Sequence, residues 1–235
     1  MLLIQEQIKI MNKLLTIKDL YLTIKLNDKE VLKNISFDIS KSEIVSLIGE
    51  SGSGKSLTAL SIIRLLEKSC IIKSGKIMFL NKNILSLEEK EMRTIRKNDI
   101  SMIFQEPMRS LNPVMNIYDQ IKESYHDKKN INLKKEIIKN LKSVGISDAE
   151  RVVKLYPHQL SGGMKQRVMI AMAIACKPKL LIADEPTTSL DVTIQKQVLD
   201  LLSKLRKELN MAILFITHDL AVASQISDKI IVMKD

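Results

Sequence analysis

Several short stretches of this 235-residue chain place residues that can handle phosphate, a cation or a water molecule. "GESGSGKS", Gly49 to Ser56, has the spacing of a phosphate-binding loop. Gly49, Ser51, Gly52, Ser53 and Gly54 form a turn whose backbone N–H groups can converge on phosphate oxygens. Lys55 is placed to reach the outer phosphates, and Ser56 to hold Mg²⁺. "LLIADEP" ends an apolar run in Asp184, a carboxylate suited to the same cation. Glu185 follows it and can polarise an attacking water as a general base. Two further apolar runs lead into Gln105 in "MIFQEP" and His218 in "FITHDL". An amide can bond a metal or a water, and an imidazole can sense a terminal phosphate. Each residue alone has an ordinary reading, as a strand-end Glu or a hydrogen-bonded edge His. Three polar residues that each follow an apolar run are more persuasive as a set. "QLSGGMKQRV", Gln159 to Val168, adds a helix start at Ser161 with Gly162 and Gly163 in its first turn. Free N–H groups there make a second anion site.

These residues need a scaffold that gathers strand ends. "LLTIKDLYLTIKL" and "EVLKNISFDIS" read as strands joined by a turn at "NDK". "SEIVSLIG" is a short apolar strand before the glycine-rich loop, and "KSLTALSIIRLLEK" is the helix after it. "SGKIMFLNKNIL" returns to strand and turn. "SLEEKEMRTIRK" reads as a helix with Ser86 and Glu89 as a capping box. "DISMIFQEP" is a strand. Residues from about 107 to 160 read as a polar helical insert, and a long helix follows from Ser161 to about Cys176. "KLLIAD", "MAILFIT" and "KIIVM" are strands, separated by the helices "VTIQKQVLDLLSKLRKEL" and "DLAVASQIS". Apolar strands alternating with helices imply a parallel sheet covered on both faces. The expected organisation is one domain over 1–235. Its core spans about 14–106 and 177–235, and a helical part spans about 107–176.

Composition narrows the class. Hydrophobic residues make up 45% and charged residues 27%, ordinary for a globular protein. No apolar run reaches the roughly 18–20 residues that span a bilayer. The start, "MLLIQEQIKIMNK", is too interrupted for a signal peptide, so a cytoplasmic chain is expected. Cys70 and Cys176 sit in no metal or redox spacing. The net charge of +10 is spread along the chain, and aromatics are only 3% with no Trp. Stacking platforms for nucleic acid are therefore missing, and no nucleic-acid partner is expected. The charge reads first as the plain basicity of a Lys- and Ile-rich sequence and second as a membrane-facing surface.

Taken together, "GESGSGKS", "FQEP", "LSGGMKQRV", "LLIADEP", "SLD" and "THD" resemble the nucleotide-binding subunits of ABC transporters, over nearly the whole chain from about Leu14. "FQEPMRSLNP" and "PTTSLDVT" are similar to the oligopeptide, dipeptide and nickel importer branch. The resemblance implies an α/β P-loop NTPase fold. It has a mostly parallel RecA-like sheet, an N-terminal antiparallel β subdomain and a helical signature subdomain. It implies ATP and Mg²⁺, with Gly49 to Ser56 as the ATP loop. Ser161, Gly162 and Gly163 match the signature, Asp184 the Mg²⁺ carboxylate and Glu185 the catalytic glutamate. Gln105 matches the glutamine that links the site to the membrane partner, with contact to metal or water. Asp191 matches the D-loop aspartate and His218 the switch histidine. The implied partners are a second ATP-binding subunit packed head to tail, two membrane-spanning permease subunits and, indirectly, a solute-binding protein. The implied place is the cytoplasmic face of the cell membrane.

Two departures from the family pattern stand out. The first hairpin lacks the usual adenine-stacking ring; Ile24 or Leu26 falls near that place, and Tyr21 is the closest aromatic. Relatives of this branch also usually continue past the last strand, into more sheet and a cysteine-bearing tail. The alternative function, a soluble ATPase acting on ribosomes or DNA, predicts a tandem domain or a long inserted coiled coil, and neither is present.

Overall fold

A computed structural model of the protein describes residues 12–105, 111–125, 132–188 and 190–234. Strands β1 (Lys13–Ile24) and β2 (Lys29–Ser40) form an antiparallel hairpin. β4 (Cys70–Phe79) and the two-residue β5 (Lys82–Asn83) extend it into a sheet of order β2-β1-β4-β5. Its inward residues include Leu15, Ile17, Leu20, Ile39, Ile77 and Phe79, all essentially buried. The expectation of alternating N-terminal strands is met, and β4 starts before the "SGKIMF" stretch.

The second sheet has order β6-β7-β8-β3-β9, and every neighbouring pair is parallel. Its members are β3 (Ile44–Ile48), β6 (Ile100–Ile103), β7 (Leu180–Asp184), β8 (Ala212–Thr217) and β9 (Lys229–Val232). Every residue of β3, β7 and β8 is buried, as continuous apolar runs between two covered faces require. Alternation along each strand divides the core. Leu180, Ile182, Leu214 and Ile216 pack with the antiparallel sheet and with α1 (Lys55–Ile63). Leu181, Ala183, Ile213 and Phe215 pack on the opposite side. That side carries α3 (Ile117–Glu123), α4 (Leu133–Ser143), α5 (Ala149–Val152), α6 (Gly162–Ile174), α7 (Val192–Leu209) and α8 (Leu220–Ile226). Residues 111–125 and 132–176 contribute helices and no strand among the described residues, and they share that buried cluster with the parallel sheet.

Two helix boundaries differ from the sequence reading. α1 stops at Ile63 rather than running to Lys68. Arg64 adopts a left-handed conformation, φ 52°, and its guanidinium donates to the carbonyls of Ile84 and Leu87. Those two bonds hold the chain in a turn that helix propensity alone would extend. Helix α2 (Glu89–Asn98) starts later than a box at Ser86 allows. Ser86 lies in a short 3₁₀ turn and donates to the Asn83 carbonyl; the Glu88 N–H instead donates to Glu91. Leu87 is extended between the two turns, so the cap moves two residues on.

Candidate active site

The loop after β3 lies at the carboxyl edge of the parallel sheet, where ligands of open α/β sheets gather. Gly54 has φ +92° and opens α1, and a Cβ there would stand 2.4 Å from Leu32 Cδ2 on β2. Glycine is thus required by both conformation and space. Lys55 is buried, and its ammonium donates to the carbonyls of Gly49 at 2.9 Å and Glu50 at 2.7 Å. The lysine therefore lies across the mouth of the loop. Above it an opening of about 640 Å³ is lined by Gly49, Glu50, Ser51, Ser53 and His218.

Asp184 closes β7 on the same edge and is buried. Burial pushes its carboxyl above the ordinary range; a Ser56 hydrogen bond and the Lys55 charge oppose the shift, and the Glu185 charge adds to it. Asp184 Oδ1 has no hydrogen-bond partner among the described residues. A buried carboxylate oxygen left unpaired beside a serine hydroxyl is costly unless a cation completes it. Hard oxygen donors of this kind suit Mg²⁺.

Glu185, the next residue, is a hub. Its backbone sits in the left-handed region at φ 46°, held by a hydrogen bond from its N–H to the Ile216 carbonyl in β8. Such strain in a non-glycine residue costs on the order of 1–3 kcal/mol and clusters at functional sites. The carboxylate receives Gln105 Nε2 at 3.2 Å and Thr188 Oγ1 at 2.8 Å. His218 Nδ1 lies 3.3 Å from its other oxygen. Gln105, Glu185 and His218 follow three adjacent strands, β6, β7 and β8. Of the three residues singled out after apolar runs, Gln105 and His218 meet on Glu185, while the third, Asp184, is the residue just before it and, among the described residues, bonds neither of them.

Sequence reading missed Thr188. It lies within "PTTSLD", where its hydroxyl looks like ordinary turn polarity. Gln166 was also missed: it is buried in α6 and donates to the Pro186 carbonyl at 2.6 Å, tying the signature helix to the segment after β7. The pattern that could have found it is a buried amide inside an otherwise apolar helix face.

The signature residues lie apart from this cluster. Ser161 caps α6 by accepting from Met164 N–H at 3.3 Å. Gly162 is exposed, with nothing near its Cβ position; Gly163 faces Ile194 at 3.6 Å. Asp191 caps α7 through Ile194 N–H at 2.9 Å. Among the described residues no hydrogen bond joins Ser161, Gly162, Gly163 or Asp191 to the phosphate loop. Tyr21 pairs with Ser74 and Ile24 with Cys70 in β4, and Leu26 is 94% exposed in the hairpin turn. A cleft of about 390 Å³ beside Gly52 and Ser53 is instead lined by Val31, Ile35, Lys29, Lys33 and Lys234.

A phosphate loop between the strand and helix of a parallel sheet, with an Asp–Glu pair at the end of a strand one removed from it, defines a P-loop nucleotide-binding α/β fold. Residues 32–188 match the family model described as ABC transporter, and the chain belongs to that family. It is 54% identical over 203 residues to the oligopeptide transport ATP-binding protein AppD of Bacillus subtilis, covering 85% of this chain and 62% of AppD. The dipeptide transport protein DppD of the same organism is 44% identical over 229 residues, covering 95% and 68%. The chain thus spans roughly two-thirds of the length of these relatives. Among solved structures, cbiO1 from Clostridium perfringens, part of the transporter complex cbiONQ, is similar with a TM-score of 0.83 at 30% identity, covering 95% of this chain and 85% of that one. A dimeric, post-hydrolysis ATP-binding cassette, MJ0796 bound to ADP and Pi, gives 0.79 at 30% identity and covers 94% of both chains.

Proposed function

We propose that the chain is the ATP-hydrolysing, energy-coupling subunit of an importer, with oligopeptides or dipeptides ahead of nickel as cargo. The peptide reading rests on the names of the relatives AppD and DppD. Those transport names also disfavour a ribosome- or DNA-directed ATPase. The observation that carries the activity is the Glu185 carboxylate, held by Gln105, Thr188 and His218 beside the Asp184–Ser56 pair.

The phosphate loop binds the triphosphate through its N–H groups, and Lys55 leaves the Gly49 and Glu50 carbonyls to meet the outer phosphates. Ser56 and Asp184 would hold Mg²⁺, which neutralises charge on the phosphates when bound. Glu185 orients a water for in-line attack and takes its proton. Thr188 and Gln105 fix the carboxylate by donating to one oxygen, and His218 lies by the other, from where it would sense the terminal phosphate. The nucleoside fits the cleft at Val31 and Ile35, an aliphatic wall in place of a ring.

Partner engagement belongs to the same reading. Ser161, Gly162, Gly163 and Asp191 complete the ATP site of a second ATP-binding subunit packed head to tail. The lack of any hydrogen bond, among the described residues, between them and the phosphate loop of their own chain supports this. A groove of about 230 Å³ along β6 is lined by Met102, Phe104, Met169 and Met172, and Phe104 immediately precedes Gln105 in the chain. It suits an apolar segment of one of two permease subunits, and the chain would then work at the cytoplasmic face of the membrane. A solute-binding protein would deliver cargo to those subunits. The helical part, about 107–176, would then move against a core of about 14–106 and 177–235 within one domain.

The test is Glu185→Gln. Hydrolysis should fall by roughly 10²- to 10⁴-fold, the usual weight of a general base, while ATP binding is kept. Turnover at the wild-type rate would remove Glu185 from the chemistry.

A further inference from the structure

Met233 lies just past β9, outside every motif of the sequence and outside residues 32–188 of the family match. It is 5% exposed. Its N–H donates to the Ile48 carbonyl at 2.8 Å, fixing its backbone to the last residue of β3. At the start of the phosphate loop, a Cβ on Gly49 would meet the Met233 carbonyl oxygen at 2.7 Å and Met233 Cβ at 3.3 Å. At the loop's end, a Cβ on Gly54 would lie 3.4 Å from Met233 Cε. Between these, Met233 Sδ is 4.0 Å from the hydroxyl of Thr58 in the first turn of α1. One side chain therefore underlies both ends of the loop and the helix it opens. Gly52, in the middle of the loop, has nothing within 4 Å of its Cβ position. The ends of the loop are packed and its crest is free.

We propose that Met233 is a positioning residue for nucleotide binding: it holds the two ends of the phosphate loop at the spacing that aims their N–H groups at phosphate. The inference rests on the reading of this loop as the ATP site. An unbranched thioether suits the task, because it fills an irregular gap between two backbones that lack side chains of their own. Trimming it leaves a void under the loop, so the loop must be ordered again at each binding event.

The experiment compares MgATP binding by the full-length protein with that of Met233→Ala, Met233→Leu, Met92→Ala and Lys55→Ala, all below their melting transitions. Met92 is fully buried in the same hydrophobic cluster but touches no loop residue in the contacts given above, so it controls for lost packing. For Met233→Ala the Kd should rise roughly tenfold or more, as lost preorganisation predicts. Met233→Leu should recover most of the affinity, since it conserves volume. Met92→Ala should lose thermal stability with its Kd unchanged. A wild-type Kd in Met233→Ala, or an equal rise in Met92→Ala, overturns the positioning role. Absence of MgATP binding by the wild type, or a wild-type Kd in Lys55→Ala, would instead overturn the ATP site itself.

Discussion

The Asp184 carboxylate is buried, and one of its oxygens has no partner among the described residues. Its proton affinity is raised chiefly by burial, so the fold favours the neutral acid relative to the unfolded chain, where Asp titrates near about 3.9. The sign follows. Below that pH both states are protonated and the carboxyl costs nothing. As pH rises through the unfolded value towards the raised folded one, the native state comes to carry a buried charge that Ser56 and Lys55 only partly compensate, and it loses stability. Asp184→Asn should therefore raise the melting temperature of nucleotide-free protein at neutral pH by on the order of a few degrees. The gain should vanish near pH 4, while Mg²⁺-dependent binding of ATP is lost. Thermal melts of both proteins at the two pH values check this, and a lower melting temperature for the Asn variant at pH 7 contradicts it. A buried carboxylate that weakens the empty fold and leaves one oxygen unpaired fits a cation-ligand role better than a structural one.

Helices and strands here are positioned by what lies beneath the loop between them. The phosphate loop joins β3 to α1, but its Gly54 is pressed against Leu32 of β2, in the other sheet. Gly54→Ala must therefore push Leu32 aside and also hold a left-handed conformation. A cost of about 2–4 kcal/mol is expected from overpacking and strain together. Chemical denaturation would measure it, and a change within about 0.5 kcal/mol would show that β2 yields without resistance. The hairpin motif and the glycine pattern were both legible in the chain. Their contact was not, because Leu32 and Gly54 meet only when the antiparallel sheet packs over the parallel one. The helix ends show the same limit. α7 runs from Val192 to Leu209 as its amphipathic pattern indicates, and Asp191 caps it. α1 ends early because Arg64 finds carbonyls near α2, a tertiary bond that no local pattern contains.

At the scale of the whole molecule, the signature glycines pose a question the single chain does not answer. Gly162 lies in the first turn of α6, with no positive φ and open space around its Cβ position. Nothing within the fold requires glycine there, and alanine would favour the helix by roughly 0.5–1 kcal/mol. Gly162→Ala should thus leave stability equal or slightly higher and the ATP affinity of the isolated chain unchanged. Its hydrolysis should fall if, as proposed, a partner's nucleotide approaches that backbone. Turnover and melting temperature measured on one preparation decide it: unchanged turnover would mean the glycine serves no partner. Hydrolysis should likewise rise more steeply than linearly with protein concentration, as a shared site demands.

The order and spacing of "GESGSGKS", "LLIADEP", "LSGG" and "THD" determined the fold class and the family and pointed to the loop proposed for ATP, since each motif needs only local backbone and a few neighbouring residues. Apolar runs ending in Gln105, Asp184 and His218 were also visible, because a buried parallel strand and its polar end are written in sequence order. Only the tertiary structure decided that Gln105, Thr188 and His218 converge on one carboxylate of strained Glu185, and that Met233 underlies both ends of the phosphate loop. Those relations depend on strand order β6-β7-β8-β3-β9, which brings residues far apart in the chain side by side. Periodicity reports which face of an element is buried; it carries no information about which other element lies against that face.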